Sequence, residues 1–146
     1  MAYIILFKEE YFNKDYILSP YLYMVKVEGF EDLRRPVTGY DIFDRSRYGV
    51  KYFNTKKAAI NQLNKINKDK EKFDEMVRNY PKVPEGIGKN AIKTLRFASR
   101  DHTYGPYNAK VVELPEIILL ETNSRLRFLS IDNQVSKILF ELWNKS

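Results

Sequence analysis

No cysteine occurs among the 146 residues, which excludes disulfides, thiolate chemistry and the commonest structural zinc ligands. Histidine and tryptophan occur once each. A metal site would have to be built mostly from carboxylates, and no acidic cluster stands at a helical or alternating spacing that would build one, so neither a metal nor a cofactor is expected. No apolar run approaches the roughly 18 residues of a membrane span. The run Tyr3 to Phe7 ends at Lys8, Glu9 and Glu10, without a basic lead-in or small-residue cleavage site, so no signal peptide is expected. These absences point to a soluble protein of a reducing, cytoplasmic compartment that meets no membrane.

The chain has the size and the 44% hydrophobic content of one globular domain, residues 1–146, with enough apolar side chains for a core. Its net charge of +6 is unevenly spread. Residues 1–50 hold 7 basic and 8 acidic side chains, residues 51–110 hold 14 and 6, and residues 111–146 hold 4 and 5. The whole excess therefore falls in the middle of the chain, as for a localised polyanion footprint. An ordinary solvated Lys-rich helix surface gives the same composition.

Hydrophobic patterning predicts strands at Tyr3 to Phe7 and Tyr21 to Val27, with shorter ones at Tyr40 to Phe43 and Val50 to Phe53. Asn54 and Thr55 offer an N-cap to a helix from Lys56 to Asn67 in which Ala59, Ile60, Leu63 and Ile66 recur at helical spacing. The charged run Asn67 to Lys72 interrupts that apolar face, and Phe73, Met76, Val77 and Tyr80 resume it, as one long helix or two end to end. Pro81, Pro84, Gly86 and Gly88 mark a hinge over 81–88. Lys89 to Arg100 reads as a helix, with a strand as the alternative because Leu95 and Phe97 alternate. Lys110 to Leu114 and a hairpin over Glu116 to Ile131 return to strands, and Asp132 caps a last helix with Val135, Ile138, Leu139, Leu142 and Trp143 on one face. The expected fold class is α+β: a mostly antiparallel sheet of N- and C-terminal strands, two to four helices, a basic helical segment over about residues 55–100, and an amphipathic C-terminal helix.

The catalytic motifs are incomplete. Gly86-Ile-Gly88-Lys89-Asn90 has Val83 and Asn90 where a phosphate-binding P-loop needs Gly and Ser or Thr. His102 beside Asp101 lacks a marked nucleophile and reads as a surface-loop histidine. Asp41, Asp44, Arg45 and Arg47 are groups that a magnesium-dependent nuclease uses, and also groups that turns collect. The segment Lys51 to Leu63, KYFNTKKAAINQL, resembles the strand and F-x-T-x-x-x-A of AP2-type DNA-binding domains and of the small RNA-binding domain at the front of some RNases H. The resemblance covers thirteen residues, a strand, a capping Thr55 and small helix residues account for it, and the aromatic and glycine framework of those domains is missing; no family is assigned.

The strongest pattern is KNAIKTLRFASR. At about 100° per residue Lys89, Lys93, Arg96 and Arg100 fall on one side, while Ala91, Ile92, Leu95 and Ala98 form another. Phe97 lies beside the basic stripe and Tyr104 follows in the loop, and cations interleaved with aromatics suit phosphate contact and base stacking. The first expectation is a non-enzymatic protein that contacts nucleic acid or a nucleoprotein complex through Lys56, Lys57, Lys89, Lys93, Arg96, Phe97, Arg100 and Tyr104. The alternative is a small interaction protein, of the kind phages use to inhibit or redirect a host protein or nuclease, acting through Tyr11, Tyr16, Tyr40, Tyr48 and Tyr107 in apparent loops. A metal-dependent nucleic-acid-processing enzyme comes third. The oligomeric state is not legible.

Overall fold

The computed structural model describes residues 2–11, 15–38, 50–116 and 133–146. They form a four-stranded antiparallel sheet and three long helices, an α+β fold. The strands are β1 (Ala2–Tyr11), β2 (Asp15–Lys26), β3 (Arg34–Thr38) and β4 (Ala109–Leu114), in the order β3-β2-β1-β4. The helices are α1 (Lys56–Asn79), α2 (Lys89–Ala98) and α3 (Asn133–Lys145). The predicted strand Tyr40 to Phe43, the hairpin up to Ile131, the capping Asp132 and the Asp41–Arg47 cluster lie outside the described residues. The chain divides into two compact units, the first comprising residues 1–23, 36–64 and 108–146, the second residues 24–35 and 65–107.

In the first unit β1 is an interior strand, antiparallel to β2 with Leu6 opposite Pro20 and to β4 with Ile4 opposite Val112. That position explains its continuous apolar run: Ile4, Ile5, Leu6 and Phe7 are all buried, so both faces are covered. Ile4 and Leu6 pack with Leu18, Val112, Leu114, Leu139 and Trp143 in one cluster. Leu139 and Trp143 are thus core residues, as the C-terminal stripe predicts. Val50 to Phe53 is not one of the four strands and contributes one antiparallel bridge, Phe53 to Tyr3, with reciprocal hydrogen bonds of 2.8 and 2.9 Å. Thr55 caps α1 as expected, its Oγ1 accepting the Ala58 N–H at 3.1 Å.

The second unit has its own core of Val27, Phe30, Leu33, Val77, Ala91 and Leu95. The segment 81–88 lies wholly inside this unit, with Val83 and Ile87 packed against that core. Lys89 to Ala98 is helical, which excludes the strand alternative, and Ala91 and Leu95 on its apolar face are fully buried. Gly29 sets the approach of this helix to the turn after β2. It has φ +86°, and a Cβ there would stand 2.3 Å from the Ala91 nitrogen. Thr94 Oγ1 ties the same turn by donating to the Glu28 carbonyl at 2.9 Å.

Helix α1 is continuous through the charged run that breaks its apolar face. Asn67, Lys70 and Asp74, at i, i+3 and i+7, carry one face of the helix onward with polar groups. Those groups hold the loop from His102 to Tyr107. Asn67 Oδ1 accepts the Tyr107 N–H at 3.0 Å, and Lys70 Nζ donates to the Thr103 and Gly105 carbonyls at 2.6 and 2.8 Å and to Asp74 at 2.9 Å. Asp74 also accepts the Gly105 N–H at 2.8 Å and the His102 Nε2 hydrogen at 2.5 Å. The interruption in the sequence pattern is therefore a satisfied polar network around the buried Asp74, with Lys70 and His102 largely shielded beside it.

Candidate nucleic-acid interface

Helix α2 contains no acidic residue, and its solvent side carries Lys89, Lys93 and Arg96, with Arg100 in the turn beyond it. All four cations are exposed. Phe97 projects among them at 71% exposure, with the Arg100 guanidinium 5.7 Å from its ring centre. Arg96 Nε donates to the Tyr80 hydroxyl at 3.2 Å, which orients one guanidinium of the stripe. The stripe and its aromatic neighbour are thus brought together as the helical spacing predicts.

A cleft of about 580 Å³ opens beside this helix, lined only by residues of the second unit. Lys93, Thr94, Asn90 and Phe97 form its α2 wall; Lys26, Arg34 and Arg35 come from the end of β2 and the start of β3; Asp69, Lys70 and Phe73 come from α1; His102 and Tyr107 come from the following loop. Five cations face two carboxylates, those of Glu28 and Asp69. The Lys70 ammonium is committed to Asp74 and two carbonyls, and Asp69 Oδ2 accepts the Arg34 backbone N–H at 3.1 Å. Lys26 makes an exposed 2.8 Å pair with Glu31, and the Arg34 guanidinium donates to the Glu31 carbonyl at 2.9 Å. The volume lies within the roughly 300–1,000 Å³ of small-ligand sites, and the wall combines aromatic area with convergent cations.

His102 is not the surface histidine expected from the sequence. Its side chain is 12% exposed, and its partner is Asp74 on α1 rather than the adjacent Asp101. Its ring meets Tyr104 edge-on at 4.7 Å and Phe73 at 5.6 Å. The reason is the polar face of α1, which draws the imidazole inward as a donor. Burial alone would raise the Asp74 carboxyl above its ordinary 3.8, but the hydrogen bonds from Lys70, His102 and the Gly105 N–H outweigh burial and hold it lower. Among the described residues no group of three or more His, Asp or Glu gathers in a way that could hold a metal ion.

The remaining predicted residues are dispersed. Lys56 and Lys57 are exposed in the first turn of α1 and belong to the first unit, where Lys56 lines a groove with Glu113 and Glu116. Tyr104 is 47% exposed, with the Arg78 guanidinium 5.2 Å from its ring centre. Tyr11 and Tyr16 lie in β1 and β2, because the strands run further than the apolar runs that announce them. Tyr16 is 49% exposed with Lys8 Nζ 4.7 Å from its ring centre, Tyr107 is half-buried, and Tyr40 and Tyr48 lie outside the described residues. Sequence reasoning missed Lys26, Arg34 and Arg35, since they sit in a stretch whose charges balance. It also overstated the central charge: Lys51, Lys56, Lys57 and Lys110 belong to the first unit, and the second unit holds 13 basic and 9 acidic residues. The chain matches no protein-family model, no curated protein and no solved structure.

Proposed function

We propose that the protein binds nucleic acid through its second unit, with the basic side of α2 as the phosphate-contacting surface. One observation carries this reading: an acid-free helix presents exposed Lys89, Lys93 and Arg96, exposed Arg100 follows in the turn beyond it, and the exposed Phe97 stands beside these cations. An exposed Phe beside an already packed apolar face gains nothing from folding, whereas beside a row of cations it suits a ligand that is both anionic and aromatic. The cations of Lys26, Arg34 and Arg35 along the adjoining cleft extend the positive surface. No step of bond making or breaking is assigned to the site.

The test is fluorescence anisotropy of labelled DNA and RNA oligonucleotides at low salt, with the parent, with Lys93→Ala and Arg100→Ala, and with Lys57→Ala in the first unit as a comparison. The expected result is saturable binding that Lys93→Ala and Arg100→Ala each weaken more than Lys57→Ala does. Absence of binding to either polymer, with capture of a protein partner abolished by Tyr16→Ala, would favour the protein-interaction reading instead.

A further inference from the structure

The second unit carries two different features that one ligand would satisfy together: a basic helix face suited to phosphates, and a concave site beside it. Lys93 and Phe97 belong to both, since they stand on the exposed face of α2 and also line the cleft. Across the cleft from the helix wall the sequence supplies Arg34 and Arg35, both exposed, and the half-buried Phe73 and Tyr107. A regular duplex offers a protein surface its phosphates and groove edges, and keeps the faces of its bases stacked within. It has no group to place in a concave aromatic site of this size. A single strand does, because its bases can be splayed out and stacked on aromatic or guanidinium planes.

From this juxtaposition we infer that the cleft receives an unstacked base of single-stranded nucleic acid, while the phosphates flanking it lie on the α2 cations and on Arg35. The inference rests on the nucleic-acid reading above and narrows it to a substrate class. Phe97 is the platform at the mouth of the cleft, with Arg100 beside its ring. Asn90 supplies a polar side chain on the same wall for the edge of the base, and Thr94 Oγ1, whose hydrogen is held by backbone carbonyls, supplies an acceptor. The buried Lys70, Asp74 and His102 network is not a ligand group in this arrangement; it positions the loop that bears Tyr107.

The experiment compares three labelled probes of equal length by anisotropy at one fixed salt concentration: a mixed-sequence single strand, its duplex, and a strand of abasic sugar-phosphate units. Each is titrated with the parent, Phe97→Ala and Arg35→Ala, all three first checked for the same thermal unfolding. The single strand should bind the parent at least about tenfold more tightly than the abasic strand, the contribution of one stacked base. It should also bind more tightly than the duplex. Phe97→Ala should shrink the ratio of intact-strand to abasic-strand affinity by about five-fold or more. Arg35→Ala should weaken both strands and leave that ratio in place. Equal affinity for the three probes, or a ratio that Phe97→Ala does not change, overturns the inference and leaves the wider nucleic-acid reading standing. Failure of every probe to bind overturns both.

Discussion

Lys89→Glu separates folding from binding more sharply than any other single change. Lys89 is the first residue of α2, follows a Gly88 that makes no side-chain cap bond, and has no acidic neighbour in the first turn. A cation there opposes the helix dipole, and the i,i+4 neighbour is Lys93, a like charge on the same side. Reversal to Glu turns an unfavourable dipole interaction of about 0.3–1 kcal/mol into a favourable one. It also replaces a repulsive i,i+4 pair with a Glu to Lys pair in the better orientation, a change of about 0.4–1 kcal/mol. Partial screening at the surface reduces the sum, and a net stabilisation of about 1 kcal/mol is expected. With a urea m-value of about 1–3 kcal/mol/M, the unfolding midpoint should rise by roughly 0.3–1 M. Oligonucleotide affinity should fall by roughly tenfold or more, since one attractive contact of about 1 kcal/mol becomes repulsive. Urea unfolding followed by circular dichroism, with anisotropy on the same samples, reads both. A variant that is less stable than the parent, or that binds as well as the parent, refutes the argument that Lys89 is held at a cost to the helix in order to contact phosphate.

The other predictions concern what holds the site in place. Asp74→Ala strands the buried Lys70 ammonium and the His102 N–H, so a loss of about 3–5 kcal/mol from the second unit is expected, read as accelerated amide hydrogen exchange over residues 99–107. Because the folded carboxyl lies below its ordinary value, its contribution is present above about pH 4 and is lost as pH falls through the lower folded value; acid titration of the parent should destabilise the second unit in that range, and Asp74→Asn should flatten the response. Gly29→Ala should cost about 1–2 kcal/mol for the positive φ and more for the overlap with the Ala91 backbone, with a urea midpoint equal to the parent's contradicting the close approach. Leu139→Ala should cost about 2–5 kcal/mol because Leu139 is fully buried in the first core; full stability with loss of a partner would make this face an interface.

Elements announced by periodicity were legible in the sequence. The 3.6 spacing marks α1, α2 and α3, the capping Thr55 marks the start of α1, and the apolar run Tyr3 to Phe7 marks an interior strand. Strand β3 was not legible, because Arg-Arg-Pro-Val-Thr has two charges and a proline and owes its conformation to its neighbour in the sheet. The polar face of α1 looked like a break, since its groups find partners 28 to 40 residues away in the loop. The same distance in sequence hid the cleft: Arg34 and Arg35 meet Lys93 only through the packing of the second unit. Local pattern thus located the basic helix and its Phe97, while the concave half of the site depended on tertiary contacts.

The most direct test of the central claim is the salt dependence of oligonucleotide binding by the parent and by the four alanine variants at Lys89, Lys93, Arg96 and Arg100. If these cations each neutralise one phosphate, the slope of log K against log salt should include about −2.8 from them on a single strand and about −3.6 on a duplex, and affinity should fall by roughly fifty-fold on the first and a hundred-fold or more on the second between about 50 and 200 mM salt. Each variant should reduce the slope by about 0.7 on single strands and about 0.9 on duplexes, whatever the sequence. A parent that does not bind at about 50 mM salt, or variants whose slopes match the parent's, would contradict the assignment of this helix face to nucleic acid.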